Sequence, residues 1–347
     1  MDSLLNESAN KLLANLCTVE SVRGVELTGE ASSMWSSIVE SGFTDAWIDE
    51  AAGGAGLSWH DTFGLLLASG RYALPLPLGA SMYVRYLLAQ LGFPTMDGCA
   101  TFSTQANQTE NGCVSAHAVP FGRVADWVGM NLDGKAWLLP TAHAKCEGPV
   151  IHGSLQSRLR WTSWPTAAIP LGEAKPWREI GAVLWAAMMA GAMTTVLERT
   201  LSFANDRAQF GKSIGKFQAI QQQLSQMAEH VHAVQIAAEV AFTGGPPTAG
   251  EPLAALAKGR ASAAVCLIAA TAHGVHGAIG VTAEYPLHLW TRRLHEWRMD
   301  FGSESHWQRL MGQTLLNQRD SSALDFVLER LSPISEPILK PHFGHKN

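Results

Sequence analysis

Charge is what this sequence has least of. Of 347 residues, 25 are Lys or Arg and 30 are Asp or Glu, so charged residues make up 16% of the chain, against roughly 25% in an ordinary soluble domain. The formal net charge is −5. With a slightly acidic balance and no run of Lys or Arg, nucleic-acid binding is not expected. Cysteine is scarce too: Cys17, Cys99, Cys113, Cys146 and Cys266 are odd in number and form no CxxC pair. That argues against a disulfide framework or a zinc ribbon and fits a reducing, cytoplasmic setting. The opening Met1-Asp-Ser-Leu-Leu-Asn-Glu lacks a basic segment and an apolar run, so no signal peptide is expected. No GxGxxG follows a predicted strand. His230 and His232 would point in different directions on a helix, and His273 and His276 share a face without an evident third ligand, so no metal site is expected.

What the chain does have is apolar residues, 47% of the total, too many for a disordered polymer. The length predicts two or three domains around a large core. A charge-poor surface also fits one covered by other subunits, because interface centres are depleted of charge. Two stretches reach membrane-spanning length: Ile180 to Leu197, 18 residues without a charge, and Ala261 to Ala283, 23 residues charged at most at His273 and His276. Both are rich in Ala, Gly and Thr, and both run into charges without aromatic belts, so they read as buried helices and no membrane association is expected.

Composition divides the chain. Residues 1–94 read as helices with short glycine-rich breaks: Asp2 to Leu16, Glu30 to Glu40, Ser58 to Ser69 and Ala80 to Leu91, with a break at Gly92-Phe-Pro94. Residues 95–172 carry alternating runs, including Cys113 to Val119 and Lys135 to Leu139, and an Asp133-Gly134 hairpin signal; they predict a mostly antiparallel β domain. Trp127, Trp137, Trp161 and Trp164 there read as core or interface residues. Residues 173–332 return to long helices. After Phe217, the series Ile220, Leu224, Met227, Val231, Val234 and Ala238 has spacings of 4, 3, 4, 3 and 4, the seam of a bundle helix. Ser303 is a candidate N-cap for a last helix reaching Leu331, and 333–347 is a proline-bearing tail. A β domain between two helical ones suggests a cofactor held where the three meet.

Three runs bear on chemistry. Arg207-Ala-Gln-Phe-Gly-Lys-Ser-Ile-Gly-Lys-Phe-Gln218 joins two predicted helices by a glycine-bearing turn. Arg207 can grip a phosphate with two parallel N–H groups, and Gln218 can bond a nucleotide or flavin edge; from spacing alone a plain helix–helix turn with a solvated basic patch (Arg207, Lys212, Lys216) is the favoured reading. His273-Gly-Val-His-Gly-Ala-Ile-Gly280 removes side chains at Gly274, Gly277 and Gly280, which suits close helix packing or the approach of a phosphate. Glu284-Tyr-Pro-Leu-His-Leu-Trp-Thr-Arg-Arg293 follows, and then Asp300-Phe-Gly-Ser-Glu-Ser-His306.

In this order and spacing the runs resemble the acyl-CoA dehydrogenase family, most strongly over residues 177–316. The 207–218 run resembles its first C-terminal signature and 274–293 its second, and Glu50 to Ser58 fits the loop after its early helices. The resemblance implies a helical N-domain, an antiparallel β-barrel middle domain and a C-terminal four-helix bundle. It implies FAD, an acyl-CoA substrate, α-proton abstraction by a carboxylate with hydride transfer to the flavin, and a flavoprotein electron acceptor. It also implies a tetramer, a dimer of dimers, in which Arg207, Gln209, Phe210, Gly211, Phe217, Gln218, Gly274, His276, Gly277 and Gly280 grip the FAD of a neighbouring subunit. The sequence departs from the family at the base. Its usual Glu-Gly falls on Gly302-Ser303, and the alternative position, 29 residues before Phe210, falls on Gly181. Glu304 is the nearest substitute, with Asp300 and Glu179 as alternatives; for Glu304 a plain helix-start charge is the competing reading. The Thr-Glu-Pro…Gly-Ser-Asp stretch that cradles the flavin is missing from Thr101 to Ala125, and the usual opening glutamine of the second signature is Gly274. A complete member is expected to be longer. Three functions follow: a dehydrogenase in its own right, of lipid or steroid catabolism; a catalytically incomplete partner that completes a homologue's FAD site in an α2β2 enzyme; or a non-catalytic helical scaffold.

Overall fold

A computed structural model describes residues 2–148, 151–248, 250–317 and 322–332. The expected tail at 333–347, and the stretch through which the last helix was to continue towards Leu331, fall outside the described residues in whole or in part. The N-terminal region holds α1 (Asp2–Leu16), α2 (Val19–Thr28), α3 (Ser32–Glu40), α4 (Trp59–Arg71) and α5 (Leu78–Gln90). Their ends follow local chemistry. Thr18 caps α2 by accepting from the Ser21 N–H, and Ser58 and Asp61 form a reciprocal capping box at α4.

The middle region has eight strands: β1 (Ala100–Phe102), β2 (Ala106–Gln108), β3 (Val114–Val119), β4 (Trp127–Leu132), β5 (Lys135–Pro140), β6 (Lys145–Glu147), β7 (Ser157–Trp161) and β8 (Ile169–Glu173). They form two separate four-stranded sheets, ordered β1-β4-β5-β8 and β2-β3-β7-β6. Among the described residues these two sheets do not join into one closed ring, where a β-barrel was expected. Their outer strands have only three to five residues. One pairing, β1 with β4, is parallel. Val114, Ala116, Leu159 and Trp161 from one sheet meet Val128, Met130 and Leu139 from the other. Asp133 (φ 48°) and Gly134 (φ 78°) make the two-residue β4–β5 hairpin that the sequence predicted. Trp161 is core, its Nε1 donating to the Pro140 carbonyl, while Trp137 and Trp164 pack edge-on against each other.

The C-terminal region contains α6 (Trp177–Asp206), the short strands β9 (Ala208–Gln209) and β10 (Lys212–Ser213), α7 (Gln218–Val240), α8 (Pro252–His276), α9 (His288–Met299) and α10 (Glu304–Asn317). Helix α8 packs against α6, α7, α9 and α10. The predicted seam of α7 is real: Leu224, Met227, Val231, Val234 and Ala238 are buried and Ile220 partly so. Both apolar stretches are helices, and the most apolar window of α6 is 94% buried within the fold, which is why it needs so little polarity.

Two close approaches fasten the N- and C-terminal helices together. A methyl group on Gly70 of α4 would strike the Met188 carbonyl of α6, and one on Gly191 would strike the Leu67 carbonyl. The same two regions share a buried ion-pair network. Glu26 of α2 accepts from Arg292 at 2.7 Å and from Arg293 at 3.0 Å, and Arg293 also donates to the Ala73 carbonyl. The β domain is clamped to the start of α6 through Asn131. Its side-chain carbonyl accepts from the Lys175 N–H at 3.0 Å and the Trp177 Nε1 at 2.9 Å, and its amide donates to the Lys175 carbonyl.

Candidate functional site

The three regions meet on the turn between α9 and α10, Asp300-Phe301-Gly302. Phe301 (φ 57°) and Gly302 (φ 106°) both lie in the region that L side chains avoid. Phe301 is buried against Trp185, with ring centroids 4.7 Å apart, and 6.3 Å from Phe102. Phe102 stacks on Trp177 at 4.8 Å, Tyr83 of α5 stands edge-on to both, and Phe121 meets Trp185 at 5.8 Å. Aromatic rings from all three regions thus fill their common junction.

This packing decides what can stand at the two positions where a base was sought. A Cβ on Gly302 would lie 2.8 Å from the His306 ring and 2.9 Å from the Trp307 Nε1. A Cβ on Gly181 would run into the ring of Phe301. Each glycine leaves room that an aromatic neighbour already uses.

The turn is held by buried ionisable groups. Lys258 of α8 is fully buried, and its Nζ donates to Ser262 Oγ at 2.9 Å and to the Arg298 and Gly302 carbonyls at 3.0 Å. Burial pulls its amine down to about 7. The Asp300 carboxylate accepts from Gln156 Nε2 at 3.1 Å and Trp185 Nε1 at 3.2 Å. Burial, reinforced by Glu296, pushes it up to about 8. A folded-state pKa raised this way contributes stability that is fully present below about pH 4 and is lost as pH rises through 8. The Asp300→Asn variant lacks that loss. Wild-type stability relative to Asp300→Asn should fall as pH rises from 5 to 8, read from paired thermal melts at the two values. A constant difference would show that Asp300 does not titrate there.

The other two acids are placed differently. Glu304 starts α10 and is bound by Arg298, whose Nε donates to it at 2.9 Å; that partner holds its carboxyl below the ordinary range. Glu179, in the first turn of α6, accepts from the Gly250 N–H at 3.1 Å. Of the three, Asp300 lies inside the junction, Glu304 just beyond the turn, and Glu179 at the near end of α6.

The 207–218 run folds as a hairpin beyond the end of α6. Gln209 pairs with Lys212 and Ala208 with Ser213, leaving Phe210 and Gly211 as a two-residue loop. Both loop residues have positive φ, 52° and 80°. Gly211 accepts this freely, but a bulky residue such as Phe210 does not. Phe210 is 92% exposed at the tip. Phe217 stands edge-on to it under the Lys212 ammonium. Arg207, Gln209 and Gln218 are exposed, and among the described residues no carboxylate pairs with Arg207.

In the second run, Gly274 and Gly277 are exposed with open space where a side chain would be, and Gly280 sits tightly against His276. His276 itself is buried, stacked on Phe203 at 4.4 Å, with Nδ1 bonded to the Ala272 carbonyl. The hairpin and the two open glycines are exposed, while His276 and Gly280 support them from inside.

Three residues of the segment where the family cradles a flavin ring are engaged within the fold. In the Thr101–Ala125 segment, the Thr101 hydroxyl donates to the Pro120 carbonyl at 2.7 Å and is fully buried, and Phe102 and Phe121 belong to the aromatic junction. The phosphates and adenine of a dinucleotide held by another subunit do fit the exposed set around Arg207. Sequence reasoning missed Phe301, Lys258 and Glu26. The available signal was charge inside an apolar helix: Lys258, with Arg260 beside it, stands just ahead of the 261–283 run.

Comparison with known proteins agrees with this architecture. Residues 179–311 match the family described as acyl-CoA dehydrogenase, C-terminal domain. The chain is 27% identical over 301 residues to the acyl-CoA dehydrogenase IpdE2 of Mycolicibacterium smegmatis, covering 84% of this chain and 91% of the relative. The fold is shared with a chain of the ChsE4-ChsE5 complex from Mycobacterium tuberculosis, with TM-score 0.78, 19% identity and coverage of 92% and 98%. It is shared also with the Tcur3481-Tcur3483 steroid ACAD G363A variant, with TM-score 0.77, 21% identity and coverage of 92% and 99%.

Proposed function

We propose that the chain, which is similar to the acyl-CoA dehydrogenase C-terminal domain over residues 179–311 and 27% identical to IpdE2, acts within an FAD-dependent acyl-CoA dehydrogenase as the subunit without a base, completing the FAD site of a homologous partner. One observation carries the reading: Phe301 fills the space beside Gly181, and His306 and Trp307 fill the space beside Gly302, so neither position can present a carboxylate to a substrate. The bound flavin would accept hydride from the thioester's β-carbon. This chain's residues would do the holding. Arg207 would take phosphate oxygens, Gln209 and Gln218 would offer amide hydrogen bonds, and Phe210 would cover the nucleotide. Gly274 and Gly277 would let the cofactor approach the backbone. An exposed aromatic tip in a strained conformation is unusual for a free surface and suits one that is covered on assembly. The two-component neighbours support a heteromer, and the steroid description of one supports a bulky CoA thioester as substrate.

A self-sufficient dehydrogenase using Glu304 is the weaker reading, since a carboxylate neutralised by Arg298 is a poor proton acceptor. The test is to purify the chain alone and together with a homologous partner encoded beside it. Flavin absorbance and thioester oxidation are expected only from the pair, and flavin with turnover from the chain alone would overturn the proposal. In the pair, Arg207→Ala should weaken flavin retention about tenfold or more, measured by release on dilution; unchanged retention would remove Arg207 from the grip.

A further inference from the structure

A second polar feature lies away from both the aromatic junction and the hairpin. Between the end of α2, the β3–β4 connection, the 151–153 turn and the start of α9 is a cleft of about 480 Å³. That is within the size range of small-molecule sites, about 300–1,000 Å³. Arg23, Arg123 and Arg292 line it together with His152 and His288.

Glu26 is the one carboxylate among the lining residues, and both its oxygens are taken by Arg292 and Arg293. The remaining two guanidinia are oriented by neutral groups. Arg123 donates to the Glu26, Leu27 and Ser154 carbonyls, and Arg23 donates to the Ala283 carbonyl. Carbonyl partners fix a guanidinium in place without cancelling its charge. Of five N–H groups each, Arg123 spends three and Arg23 one, so both retain donors. On a chain with net charge −5 the cleft is a local reversal of sign. Gly153 makes it possible, because any side chain there would collide with the guanidinium of Arg292. The rim is apolar: Leu27 and Ile151 are exposed beside the arginines.

From this arrangement we infer that the cleft binds a polyphosphate group, the anion of a nucleoside diphosphate or of a ligand that ends in one. Planar forks in a rigid setting match paired phosphate oxygens, and several converging guanidinia suit more than one phosphate. The apolar rim suits the base that such a group carries. Because the cleft draws on all three regions of the chain, occupancy also ties them together.

The full chain is titrated calorimetrically with inorganic pyrophosphate, ADP and CoA at low and high salt. Saturable one-to-one binding of pyrophosphate, weakened by salt, is expected. Arg23→Gln should weaken it about tenfold, the loss of one charge-assisted contact, with the melting temperature of the free chain unchanged. Arg207→Ala should leave it unaffected. ADP binding more tightly than pyrophosphate supports a nucleotide ligand, CoA more tightly than ADP supports the nucleotide end of a CoA thioester, and equal affinities support recognition of the phosphates alone. Absence of saturable pyrophosphate binding, or binding lost in Arg207→Ala but kept in Arg23→Gln, overturns the inference.

Discussion

Replacing Glu26 by alanine should destabilise the chain by about 3–5 kcal/mol, because it strands a buried charge. Arg293 is fully enclosed, and its ionic partner is Glu26, at 3.0 Å. Burial pulls its pKa down and Glu26 pushes it back up, so removing the carboxylate leaves the guanidinium with the Ala73 carbonyl for company. The loss also frees α2 from α9, and so one helical region from the other. Arg292 reaches the same carboxylate from a more exposed position, so Arg292→Ala should cost no more than about 1 kcal/mol. Denaturant unfolding of both variants and of the double variant separates the terms. A Glu26→Ala loss below about 1 kcal/mol would mean that the network is not the tie between the regions.

The second large effect is expected when a carboxylate is put back where the family keeps it. Gly302→Glu forces a side chain onto a backbone with φ 106° and into contact with His306 and Trp307. Strain of about 1–3 kcal/mol and overpacking of a similar size predict a combined loss of about 2–6 kcal/mol. No dehydrogenase activity is expected to appear, because Phe301 still packs against Trp185 and Phe102 in the junction beside it. Thermal melts and a thioester oxidation assay check the two halves. A stable, active Gly302→Glu enzyme would show that the turn opens easily and that the missing base is the sole defect.

The order helical, β, helical was legible in composition, as were most helix ends, because caps and glycines are local signals. The Asp133-Gly134 hairpin was legible for the same reason. The separation of the β region into two sheets was not, since strand partners are chosen by contacts far apart in sequence. The parallel pairing of β1 with β4 is of this kind. At the site, glycine at 302 and 181 could be read directly, but the reason a neighbouring acid does not simply replace the base could not. It depends on Phe301 being turned inward and on Lys258 holding the carbonyl of Gly302 from another helix. The sequence likewise marked Phe210 as part of a signature but could not say that it stands almost wholly in solvent.

The two glycines at the α4–α6 crossing have a consequence for how such a chain can change over evolutionary time. A residue that faces solvent can change with little penalty to the fold. Gly70 and Gly191 have no such freedom, because the smallest addition at either one meets a backbone carbonyl of the opposing helix. Folding by itself therefore disfavours change at both positions, whatever chemistry the chain takes part in.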